Sequence, residues 1–194
     1  MVKILHVWVK LKIMINIGEI KLDEKVYTGI GSRKTPEIIC ELIELISSCL
    51  YMKGWIVRSG GADFADTSFE FPVKNIKLKE IYLPWRGFNG NNSPLHHVSK
   101  EAMEIASRYY PYCWGSTKLT TKFIMGRNIY QVLGITLNKP SKFIICYTTD
   151  GCFSGGTGQA LRIAKDYGIP IYNLYNPEIR NNIFNIIDEY NLKL

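Results

Sequence analysis

Three times along this chain an apolar, strand-like run ends in glycine and passes directly into a helix-like stretch, and no other feature limits the fold as tightly. The junctions are Gly29-Ile30-Gly31-Ser32-Arg33, Ser59-Gly60-Gly61-Ala62-Asp63 and Gly155-Gly156-Thr157-Gly158-Gln159. They belong to a longer alternation. Strands are expected at about 26–30, 55–58, 81–83, 143–147 and 169–174. Helices are expected from Thr35-Pro36-Glu37 with Thr35 as N-cap, then through Phe69, at about 95–109 and 118–133, from the glycine-rich loop at 155–158 to about 167, and at 179–190. The run Phe143-Ile144-Ile145-Cys146-Tyr147 is apolar throughout, as suits a central parallel strand covered on both faces. Such alternation predicts an α/β fold with a parallel sheet and helices on both faces.

Ahead of this, Val7, Val9, Leu11, Ile13 and Ile15 alternate with more polar neighbours. Period two predicts a half-buried strand, and hence a small β extension over 1–25 before a single domain over 26–194. With 46% hydrophobic and 21% charged residues, disordered and fibrous classes are excluded. The five cysteines form no C-x-x-C pair, which argues against a disulfide framework or zinc ribbon and fits a reducing, cytoplasmic setting. Lys10 and Lys12 interrupt the N-terminal apolar stretch as a signal peptide, and no run is long enough to span a membrane.

In open parallel sheets, ligands bind beyond the carboxyl ends of the strands, where all three glycine junctions fall. Glycine lets a ligand approach the backbone, and the following helix start offers free N–H groups and partial positive charge. Gly29, Gly31, Ser32, Ser59, Gly60, Gly61, Gly155, Gly156, Thr157 and Gly158 are therefore candidates for a phosphate cradle. Ser154 and Thr157 offer hydroxyls to the same group. Arg33 and Arg127 are its candidate cations, because guanidinium presents a bidentate fork. Arg58 either joins them or pairs with a structural acid. Asp63 either meets the ligand or faces solvent at the helix start, and Asp150 either orients a ribose or begins a turn. Lys34 breaks the G-x-G-x-x-G pattern and no Gly-Lys-Ser/Thr occurs, which disfavours a dinucleotide dehydrogenase and a P-loop enzyme. His96 and His97 are adjacent and make a poor joint metal site, so neither a metal nor a cofactor is expected.

The formal charge is +7, which favours anionic partners. Residues 86–130 carry Arg86, Lys100, Arg108, Lys118, Lys122 and Arg127 against Glu101 and Glu104, with Tyr109, Tyr110, Tyr112 and Trp114 among them. Three readings fit this mixture: a surface for single-stranded nucleic acid, the wall of a pocket that grips one base, or a homo-oligomer interface.

Several of these motifs resemble the SLOG superfamily, which includes the DprA/Smf proteins and the LOG or "lysine decarboxylase-like" proteins. The residues concerned are Tyr27 to Arg33 with Thr35-Pro36, then Arg58 to Ala62 with Asp63, Asp66 and Glu70. Leu83-Pro84-Trp85, Arg127-Asn128 and Gly155 to Ala160 are most similar to phage and bacterial DprA-like proteins. The resemblance covers about 26–174 and implies a Rossmann-like fold with ligand sites at these loops. LOG-type enzymes hydrolyse the N-glycosidic bond of nucleoside 5′-monophosphates and carry a glutamate where this chain has Arg162. DprA proteins bind single-stranded DNA and load recombinase. Other SLOG proteins only sense nucleotide-derived ligands.

Asp66 and Glu70 stand four apart after the second junction. For a glycosidase, Glu70 is the candidate catalytic carboxylate and Asp66 its partner holding a ribose hydroxyl, since an oxocarbenium-like transition state needs a nearby carboxylate. The sequence thus predicts a protein that binds a nucleotide-type small molecule, with N-glycosidic hydrolysis if it is an enzyme. A DprA-like mediator on single-stranded DNA and a non-catalytic nucleotide sensor are the alternatives. A homo-oligomer with no membrane partner is expected.

Overall fold

The apolar run before the first glycine junction becomes β1 (Val26–Gly31), buried along nearly its whole length. A computed structural model describes residues 25–110 and 112–192, so the β extension expected at the N-terminus lies outside the described residues. The chain continues through α1 (Glu37–Met52), β2 (Ile56–Ser59), α2 (Ala65–Glu70), β3 (Lys79–Ile81), α3 (Lys100–Arg108), α4 (Leu119–Leu133), β4 (Ile144–Tyr147), α5 (Gly155–Asp166), β5 (Ile171–Asn173) and α6 (Pro177–Leu192). Short 3-10 turns at Ile76–Leu78 and Phe88–Gly90 lie between them.

The five strands form one parallel sheet in the order β3-β2-β1-β4-β5. From β1 the chain steps outward to β3, then crosses back through α3 and α4 to place β4 on the other side of β1. The strand order reverses between β1 and β4, and the connections leaving these strands diverge there, opening a crevice at their carboxyl ends.

Side chains alternate across the sheet, and each face has its own core. Ile144 and Cys146 of β4 face α3, α4 and α5 with Ile129, Leu133, Leu161 and Ala106. Phe143, Ile145 and Tyr147 face α1, α2 and α6. On that second side Ile39, Ile43, Ile46 and Leu50 make one stripe of α1, at helical spacing. Trp55 is fully buried against Phe143 and Tyr190, and its indole N–H donates to Asn191 at 2.9 Å.

Several details differ from the sequence expectation, and α5 takes in the glycine loop expected at 155–158, starting at Gly155. The N-cap of α1 is Pro36, while the Thr35 hydroxyl donates to the Ser32 carbonyl at 2.6 Å and so braces the first junction. α3 begins at Lys100 rather than near 95, because the Ser99 hydroxyl caps it by accepting from the Ala102 amide at 3.2 Å. The Leu95 carbonyl is engaged by the Leu83 amide at 2.7 Å. β3 is Lys79–Ile81, just before the expected 81–83, and Tyr82 and Leu83 continue past its end.

Gly29 shows how tightly the second layer seats. A Cβ there would overlap the Phe69 ring, which is fully buried. Gly29→Ala should therefore lower stability by about 1–3 kcal/mol through overpacking. In urea unfolding the midpoint falls with the slope unchanged, and Phe69→Leu in the same chain recovers part of the loss. An equal loss in both backgrounds would contradict this cause.

Candidate functional site

The crevice between β1 and β4 is a cleft of about 520 Å³. Gly31, Ser32, Arg33 and Lys34 form one wall, and Thr148, Thr149, Ser154, Gly155, Gly156 and Thr157 the opposite one. Asp66 and Arg127 are at its floor, and Phe88, Thr121, Ile124, Met125 and Asn128 close a third side.

A chain of buried polar groups ties these walls together. The Asp66 carboxylate, 3% exposed, accepts from the Gly31 amide at 3.2 Å and the Ala62 amide at 3.3 Å. It thereby pins the first and second junctions to each other. Arg127 stands 3.8 Å away, an ion pair without a direct hydrogen bond. Its Nη1 donates to Gln131 at 2.7 Å and to Asn128 at 3.0 Å. The Asn128 amide then donates to the Gly156 carbonyl at 3.1 Å and to Gln159 at 2.9 Å, which reaches the third junction. Gln159 continues to the Ala106 carbonyl at 3.0 Å, anchoring α3.

Burial pushes the Asp66 carboxyl above the usual carboxylate range, while Arg127 and the amides of Ala62, Gly31 and Gly60 oppose the rise. Burial pulls the Arg127 guanidinium down, against the attraction of Asp66. Each charge is therefore held at a cost that the other only partly offsets. Arg127 is also underbonded: its Nε is buried with no acceptor among the described residues.

The opposite wall has donors of a different kind. α5 starts at Gly155 with Ser154 as N-cap, and no side chain of the described residues caps it. The first intrahelical amide, that of Gly158, is taken by the Ser154 carbonyl at 2.8 Å. The amides of Gly155, Gly156 and Thr157 precede it at the cleft, where an α-helix leaves N–H groups and partial positive charge. Gly155 has φ 60°, a left-handed turn that suits glycine.

Of the residues singled out from the sequence, Gly31, Ser32, Arg33, Asp66, Arg127, Asn128, Ser154, Gly155, Gly156 and Thr157 line this cleft. The others are placed elsewhere. A Cβ on Gly60 would overlap the Arg127 guanidinium, and one on Gly158 would overlap the Phe153 backbone, so packing accounts for both glycines. Gly61, at φ 64°, lies under Leu83. The Ser59 hydroxyl donates to the Gly29 carbonyl at 2.7 Å, inside the sheet. Asp63 is exposed, away from the cleft wall. Asp150 is exposed and accepts from the Cys152 amide at 2.9 Å in a turn. That amide and the Ser154 hydroxyl hold its carboxyl below the usual range. Arg58 pairs with Glu80 at 2.6 Å and donates to the Lys139 carbonyl at 2.6 Å.

Glu70 is the largest departure from expectation. It does not line the cleft, and its carboxylate is engaged by Lys79 at 3.0 Å and Asn91 at 2.8 Å. The pair expected to act together is split, with Asp66 bracing the loops and Glu70 fastening the segment after β3. Sequence reasoning took Arg127-Asn128 from α4 but missed Thr121, Ile124 and Met125, which with Asn128 recur there at helical spacing. The signal available was the pair Arg127-Asn128, which the helix buries.

No family model matches the chain, and no curated protein matches it. Among solved structures the chain is similar to DNA processing protein A from Helicobacter pylori, a protein described as binding single-stranded DNA. The TM-score is 0.50 at 18% identity, over 80% of this chain and 68% of that one. At that identity the likeness shows a shared fold. Among the described residues, no helix is long and apolar enough to cross a membrane.

Asp66→Ala would leave Arg127 as a buried, uncompensated charge and release two loop amides. It should cost about 3–5 kcal/mol of stability. Adding Arg127→Met should restore part of that in chemical denaturation. A double variant no more stable than Asp66→Ala would show that the ion pair is not what holds the junctions.

Proposed function

We propose that this chain is a DprA-like member of the SLOG superfamily and binds single-stranded DNA, seating a backbone phosphate in the cleft between β1 and β4. The observation that carries the reading is the convergence of three donor types on one cleft. The uncapped α5 N-terminus meets the exposed Arg33 and Lys34 above the underbonded Arg127. An anionic oxygen is met by the helix N-terminus and the two rim cations. The fold likeness to a protein described as binding single-stranded DNA supports DNA as the source of that phosphate, as does the +7 charge.

Arg33 is the cation assigned to the ligand, because it is exposed at the rim while Arg127 is held by Gln131 and Asn128. A second reading, a free nucleotide, has one observation in its favour. The cleft is of ordinary small-ligand size, and Phe88, Ile124 and Met125 give it an apolar side that fits a base. Hydrolysis of an N-glycosidic bond lacks such support, because the carboxylate assigned to it is bonded to Lys79 and Asn91.

Labelled oligothymidylate, titrated by fluorescence anisotropy across a salt series, tests the proposal. Arg33→Ala should weaken binding and flatten the dependence of log K on log salt by about 0.7, the loss of one phosphate contact on a single strand. Glu70→Gln should leave both unchanged. No retention of the strand at low salt, with a mononucleotide still bound, would move the assignment to the second reading.

A further inference from the structure

The aromatic residues between α3 and α4 do not line the cleft. They make a surface cluster of their own. Tyr110 sits edge-on to Tyr112 at 5.4 Å and to Trp114 at 5.5 Å between ring centroids, and Tyr112 is 72% exposed. The Lys122 ammonium lies 5.6 Å from the centre of the Trp114 ring. Exposed Arg108 and Lys118 flank the cluster, and no acidic residue occurs in the sequence from Arg108 to Lys122.

The cluster is held in place before any ligand arrives. Arg162 donates to the Tyr109 carbonyl at 2.9 Å and to the Phe153 carbonyl at 2.7 Å, joining the start of the aromatic segment to the chain just before α5. The Tyr109 hydroxyl bonds Asp166 on α5. At the far end, the Thr117 hydroxyl donates to the Cys113 carbonyl at 2.8 Å. The cluster is also continuous with the cleft. Thr121 and Ile124 line the cleft from the first turns of α4, and Lys122 between them reaches the Trp114 ring.

From these observations we propose that Tyr110, Tyr112 and Trp114 form a stacking platform for unpaired bases of a strand that leaves the cleft past α4, with Lys118 and Lys122 meeting its phosphates. The proposal rests on the single-stranded DNA reading above. The exposed Tyr112 ring and the half-buried Tyr110 and Trp114 rings offer surface to any base, and the cations of a segment that carries no acid suit a polyanion. A second copy of the chain fits less well, since lysine is depleted at the centre of protein interfaces.

The test compares oligothymidylates of about 4 and about 16 nucleotides, the range of ordinary single-strand site sizes, with an abasic strand of the longer length. Tyr112→Ala combined with Trp114→Ala should weaken the longer strand by roughly tenfold. It should leave the abasic strand unchanged, and Trp114→Phe should bind like the wild type. Tyr112→Ala alone guards against a folding defect, because that side chain is mostly exposed, and it should weaken only the base-bearing strand.

Wild-type affinity in the double variant overturns the platform while the cleft reading stands, and so does an equal loss on the abasic strand. A change in sedimentation of the free protein, with DNA affinity intact, makes the cluster a protein interface and also overturns it. If the wild type retains neither long strand at low salt, the single-stranded DNA reading fails and the platform falls with it.

Discussion

The Asp66–Arg127 pair organises everything else at the carboxyl edge of this sheet. Three loops leave three different strands there, and backbone ladders stop where the strands stop. What keeps the loops in register beyond that point is side-chain chemistry. Asp66 takes an amide from the first loop and one from the second. Arg127 passes the connection through Asn128 to the Gly156 carbonyl in the third. The carboxylate is short and rides on the first turn of α2, so it holds the loops at fixed separation. Its burial is costly, and the facing guanidinium makes that burial tolerable.

That arrangement explains why glycine is so frequent at these junctions and why its frequency misleads. A phosphate cradle and a closely packed arginine both require the absence of a side chain. Gly60 serves the second purpose, because the Arg127 guanidinium fills the space where its Cβ would stand. Gly31 serves a mixed one, facing the cleft while a Cβ would stand 2.5 Å from the Ala65 methyl. Sequence shows the residue type and its place at the end of a strand, which are common to both uses. Only the neighbour across the gap distinguishes them, and that neighbour comes from a helix more than sixty residues away in the case of Gly60.

The same division runs through the rest of the chain. The parallel sheet and its two helical layers were legible, because they follow from local periodicity and from glycine at strand ends. The cleft was legible as a place, since the edge at which parallel strands end is set by topology. Partners across long separations were not. Glu70 sits on the same short helix as Asp66, but Asn91, in an irregular loop, and Lys79, at the start of β3, take its carboxylate. Arg58 is equally opaque in isolation, because the acid that binds it is Glu80 on the neighbouring strand, set opposite it by the β2–β3 register. The start of α3 shows the finer limit, where the Ser99 hydroxyl sets the helix start inside a stretch that reads as helical from about 95.

The two arginines at the cleft illustrate why burial, rather than residue type, assigns roles there. Arg127 is 6% exposed and already bonded to Asn128 and Gln131, so its charge acts over short range in a medium that salt hardly penetrates. Arg33 is exposed at the rim, where an ionic atmosphere screens it over about 10 Å at moderate salt. Its attraction for a polyanion falls as salt rises, through screening and through the counterions a strand gives up on contact. Arg127 faces Asp66 at 3.8 Å, so the pair adds little net charge to the cleft and acts by holding the loop that presents Arg33.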